Sequence, residues 1–174
     1  MAFSFLRRLR RLRTDAAAEF YLHIQPLLED RQVQELERYT QHHCYSRLNH
    51  SLDVAYYSFF IARLLGWDCG SAARGGLLHD LYLYDRHAEG AHYERHLRNH
   101  PKIALENARK VCALNKVEEN IIRRHMWLAT LVPPRYKEGY VVTFVDKYCA
   151  IREGLISFRN RNWKVGMSRS AHAG

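Results

Sequence analysis

The chain has 174 residues, 47% hydrophobic and 26% charged, which is the composition of a globular domain with a sizeable core and not of a disordered chain. The formal net charge is +9, but nine of the 27 basic residues fall in residues 1–13 and 159–174, which hold no acid; the other 18 balance the 18 acidic residues. That placement argues against a nucleic-acid-binding core, and the lack of any apolar run of about 18 residues argues against a membrane span.

The N-terminus reads MAFSFLRRLRRLR, with Phe5, Leu6, Leu9 and Leu12 at helical spacing between arginines. No uninterrupted apolar stretch follows the charges, so a secretory signal is not expected. A frayed basic helix is one reading; a weak contact of residues 1–13 with an anionic membrane or a protein is the other. Residues 15–41 read as helical, with a break at Pro26. Residues 48–66 form a strong helical pattern, in which His50, Val54, Ile61 and Leu65 share a stripe and Gly66 suits the end. Residues 70–84 predict another helix, where Gly75-Gly76 lets a neighbour approach closely and HDLYLYD closes the segment.

Residues 85–99 are polar and histidine-rich and read as a loop with a helical turn or two. Pro101 fits a first helical position. Asn115 with Glu118 three residues on is a capping-box pattern. Pro133-Pro134 breaks the chain, and 137–157 reads as a last long helix. Strand signals are nearly absent. The expectation is an all-α, compact single-domain bundle over 15–157, flanked by a basic amphipathic segment (1–14) and a basic C-terminal tail (158–174). Cys44, Cys69, Cys112 and Cys149 are scattered without a CxxC, which favours a reducing, cytoplasmic compartment and excludes a zinc ribbon.

Chemistry gathers on a few polar residues in apolar settings. His50 lies on the stripe of its helix. His79-Asp80 ends a hydrophobic segment. Asp146 sits on a face with Val142, Cys149 and Glu153, and a bridge to the adjacent Lys147 is not expected on a helix. Taken singly, His50 also reads as a hydrogen-bonded core histidine and His79-Asp80 as an ordinary helix end. Together, buried imidazoles and carboxylates are costly unless compensated, and a shared cation compensates all of them. Such donors suit Mn, Fe, Ni, Co or Zn, with Mg also admitted.

The order H…HD…D, with His50-Ser51-Leu52, Gly76-Leu77-Leu78-His79-Asp80 and Val145-Asp146-Lys147, resembles the HD-domain superfamily of metal-dependent phosphohydrolases over about residues 45–153. The resemblance implies a fold of the HD-domain type and His50, His79, Asp80 and Asp146 as metal ligands, with His79 and Asp80 catalytic. His100 and His125 stand in the order of the extra ligands of two-metal members, with Asp80 as the bridge. One or two divalent ions are therefore expected.

The implied reaction is hydrolysis of a phosphomonoester or phosphodiester, of a nucleotide in the first instance, by in-line attack of hydroxide held on the ion. A nucleotide-binding regulatory HD module with little or no catalysis is the alternative. Lys147, His96, Asp85 and Arg98 are the candidate substrate contacts. His92, His96 and His100 are four apart, but in a polar stretch that reads as an exposed face or flap. No GxSxG, P-loop or GxGxxG supports acyl transfer, ATP-driven work or dinucleotide redox.

Overall fold

A computed structural model describes residues 2–42, 45–85 and 93–171, with side chains over 15–41, 45–85 and 98–159. Seven helices lie among the described residues: α1 (Ala2–Leu28), α2 (Arg31–Glu35), α3 (Arg47–Leu64), α4 (Cys69–Leu78), α5 (Tyr93–Val111), α6 (Lys116–Arg124) and α7 (Lys137–Ala171). A 3-10 turn (Leu36–Arg38) and a small antiparallel hairpin, β1 (Thr40–His42) with β2 (Tyr45–Ser46), join α2 to α3. The expected all-α architecture is what the chain adopts. No helix among the described residues is long and apolar enough to cross a membrane.

The tightest partnership is α3 against α4. Its cause is local: a Cβ on Gly76 would stand 3.0 Å from the Ala55 Cα, so only glycine lets the two backbones approach this closely. Gly75 makes room in the same way for the Ile121 side chain of α6. Around this contact Ala55, Phe59, Ala73, Leu77, Leu78, Ala104, Ala108 and Ile122 form the main core, and Val54, Ile121, Val142, Val145 and Cys149 form a second cluster under α7. Asn115 and Glu118 make the expected capping box, each accepting from the other's backbone N–H. Gly66 takes a left-handed conformation (φ 67°) just past α3, as its helix-ending position suggests.

Several element readings are corrected: the helix expected over 70–84 ends at Leu78, which leaves His79-Asp80 in the turn after it, and the last helix, expected over 137–157, runs on to Ala171. Pro26 does not break α1, which continues to Leu28; a proline loses only its own N–H bond, and Leu27 beyond it is buried in the core. The helical reading of 15–41 stops at Arg38, because Thr40–His42 pairs with β2. Pro101 is inside α5, which starts two turns earlier at Tyr93 and so replaces much of the expected loop. On α3 the buried face runs through Ser51, Val54, Ala55, Ser58, Phe59 and Ala62; His50 lies at its edge, and Ile61 and Leu65 on that edge are exposed.

Candidate metal centre

Six sequence-selected residues meet in the interior: His50 on α3, His79 and Asp80 in the turn after α4, His100 on α5, His125 at the end of α6, and Asp146 on α7. Donor atoms of His50, His79 and Asp146 lie within 4.8 Å of one another, and so do those of Asp80, His100 and His125. All six residues are buried. Asp80 stands between the two groups. Its Oδ2 is 3.7 Å from the His79 Nε2, and its Oδ1 is 3.4 Å from the Nε2 of both His100 and His125.

The local folds explain why these rings point inward. His79 donates from Nδ1 to the Gly76 carbonyl at 2.7 Å, and His125 donates from Nδ1 to the Ile122 carbonyl at 2.9 Å. Both bonds use a carbonyl left over at a helix end, and both turn Nε2 toward the centre. His100 reaches it because His100, Ala104 and Ala108 form one buried face of α5. Its Nε2 lies 2.9 Å from that of His125.

His50 is held from both sides. Its Nδ1–H donates to Glu153 Oε1 at 2.9 Å, and its Nε2–H to Asp146 Oδ1 at 3.1 Å. Burial disfavours the charged ring, but the bonds to Asp146 and Glu153 outweigh it and push the His50 pKa up to about 10. Burial works unopposed enough on His79 to bring it down to about 4, despite the nearby Asp80 and Asp146. Burial also opposes ionisation of both carboxylates. His79, His100 and His125 nevertheless hold Asp80 well below the usual carboxylate range, and His50, His79 and Lys147 do the same for Asp146.

Asp146 Oδ2 accepts from Lys147 Nζ at 2.6 Å, so the expectation that these neighbours do not pair is corrected. Adjacent Cβ atoms diverge on a helix, yet the long lysine stem folds back far enough to close the gap. Asp85 and Arg98 are exposed, and the side chains of His92 and His96 lie outside the described residues, as do those of residues 1–14.

Sequence reasoning passed over three residues as members of the site. Glu153 was visible only as one more position on the Asp146 face. Gln41 in β1 donates to Asp80 Oδ2 at 2.7 Å and accepts from Arg47 Nε at 3.1 Å. Arg47, fully buried with its guanidinium 3.6 Å above the Tyr82 ring, ties this chain of contacts to the segment after His79-Asp80. Nothing in the sequence signals Gln41 or Arg47, since both are ordinary polar residues beside a short hairpin.

The arrangement fits a divalent cation on its own terms. Among the described residues, His79 Nε2 and Asp80 Oδ1 are buried with no hydrogen-bond partner, a costly state that an ion would relieve. A family model described as HD domain matches residues 47–151, well over half of the chain. The chain belongs to the HD-domain family. HD domains are the fold of a superfamily of metal-dependent phosphohydrolases, and the two buried groups could each hold a metal. No match was found among curated proteins or solved structures. The HD match encloses all six residues of the centre but stops short of Glu153 and begins after Gln41, the two side chains that orient it from outside.

Proposed function

We propose that this HD domain hydrolyses a phosphomonoester or phosphodiester bond of a small phosphorylated molecule, with a nucleotide as the first candidate. The observation that carries the reading is the place of Asp80 between two buried donor groups, His50/His79/Asp146 and His100/His125. In this reading His50, His79, Asp80 and Asp146 hold one divalent ion, and His100 and His125 with Asp80 hold a second. Bound there, the ions would activate water and neutralise charge on the phosphoryl group.

The chain's own residues have separate tasks. Glu153 keeps the Nδ1 proton of His50, so that Nε2 is the atom offered inward. The Gly76 and Ile122 carbonyls do the same for His79 and His125. Gln41 occupies one oxygen of Asp80 and leaves the other facing the two histidines. Lys147, partly exposed, balances Asp146; in this reading it meets an incoming phosphate, and Asp85, Arg98 and His96 remain the further proposed substrate contacts. Residues 1–13 are left to a weak membrane or protein contact, and the compartment is taken as cytoplasmic.

The test is phosphate release from a panel of nucleotides and from bis-p-nitrophenyl phosphate with added Mn²⁺. Turnover that chelation abolishes, and that falls at least 100-fold in Asp80→Ala, supports the reading. Tight nucleotide binding without turnover in the metal-loaded protein would overturn it in favour of a regulatory module.

A further inference from the structure

On the far side of α4 from its HD end, α1 crosses the start of the helix, and three more donor groups meet there. Glu19 and His23 are one turn apart on α1, and Cys69 is the first residue of α4. Cys69 donates from Sγ to Glu19 Oε1 at 3.8 Å, and one donor atom from each of the three residues lies within 4.8 Å of the others. Tetrahedral zinc, with bonds near 2.0 Å to N and O and 2.3 Å to S, sets neighbouring ligands roughly 3.3–3.6 Å apart. Side-chain adjustments of at most about 1.5 Å would close the set.

Neighbouring residues constrain each donor. Arg63 Nε occupies Glu19 Oε2 at 2.8 Å, which turns Oε1 toward the cysteine, an outer contact of the kind that orients ligating carboxylates. His23 makes no hydrogen bond among the described residues, yet its ring is seated closely: a Cβ on Gly70 would come 2.8 Å from its Cε1 and 3.0 Å from its Nδ1. Asp68 caps α4 by accepting from Ser71 N at 2.9 Å, which fixes where Cys69 starts the helix. All three residues are half-buried, so a fourth position stays open to water.

We propose that Glu19, His23 and Cys69 form a second metal site, separate from the HD centre, for a borderline-soft divalent cation such as Zn²⁺ or Co²⁺, clipping α1 to the helix that leads into His79-Asp80. The thiolate sets it apart, because the HD donor groups contain only imidazoles and carboxylates. In the absence of metal, burial and then the Glu19 carboxylate raise the Cys69 pKa, so the thiol is protonated at neutral pH. Binding therefore releases the thiol proton to solvent, and affinity rises with pH.

The experiment is Co²⁺ titration of the full chain, read by the near-ultraviolet thiolate-to-cobalt charge-transfer band, followed by displacement with Zn²⁺. The band is expected in the unmodified protein and lost in Cys69→Ser and in His23→Ala, with bound zinc falling by one per chain and the helical circular dichroism unchanged. Gly70→Ala, which displaces the His23 ring without removing a donor, is expected to weaken zinc at least tenfold. Absence of the band in the unmodified protein, or its persistence in Cys69→Ser, would overturn the proposal.

Discussion

Glu153 Oε1 accepts the Nδ1–H of His50 at 2.9 Å, in a contact sealed from water and spanning 103 positions of sequence. The bond decides which ring nitrogen is left for an ion. Glu153→Ala is expected to weaken divalent-metal affinity at the HD centre by about 10–100-fold. Glu153→Gln, whose amide oxygen can still accept the proton, should lose less. Calorimetric titration checks both, and unchanged affinity in Glu153→Ala would refute the positioning role.

Two histidines push the metal-free chain in opposite directions with pH. His50 titrates at about 10 when folded and near 6.5 when unfolded, so its contribution is present below pH 6.5 and is lost as pH rises through 10. His79 titrates at about 4 when folded, so its contribution is present above 6.5 and is lost as pH falls through 4. Urea midpoints of the chelated protein should therefore peak near neutral pH. A saturating divalent ion, which requires neutral His50, should flatten the alkaline fall. Midpoints that climb steadily from pH 7 to 10 without metal would contradict this.

Gly76 marks where helix packing and the centre depend on one atom. A Cβ there meets the Ala55 Cα at 3.0 Å and the Ala55 N at 3.2 Å, and backbone cannot rotate aside. Gly76→Ala should cost about 1–3 kcal/mol and should also weaken metal binding, since α3 carries His50 and α4 leads to His79. Gly75→Ala meets the Ile121 side chain instead, at 2.8 Å, and should cost less because a side chain can shift. Chemical denaturation of the two variants decides; a larger loss in Gly75→Ala would contradict the ranking.

Features whose cause lies within a few residues were the legible ones. The Asn115–Glu118 box, the Gly66 helix end and the close approach at Gly75-Gly76 follow from neighbours in sequence, and H…HD…D marked four residues of the centre. The burial of His100 was obscured because Pro101 suits a helix start so well, although the His100, Ala104, Ala108 spacing carries the face that buries it. His125 follows two arginines, and only the family resemblance singles it out in the sequence, yet it is 1% exposed. The pairings of His50 with Glu153 and of Asp80 with Gln41 depend on helices and a hairpin meeting across long stretches of chain, which no local pattern encodes. Lys147 with Asp146 failed for a different reason: the rule for helix neighbours concerns Cβ directions, and a four-carbon stem can override it.

The central claim is that Asp80 serves two buried cation positions, and the number of Mn²⁺ ions bound per chain tests it most directly, because this hard ion suits the imidazole and carboxylate donors and not the thiolate of Cys69. Equilibrium dialysis of the unmodified protein should give two ions per chain, one in His125→Ala, and neither at comparable affinity in Asp80→Ala with the helical signal intact. Unmodified protein that binds no Mn²⁺, or binding left unchanged by Asp80→Ala, would contradict the account.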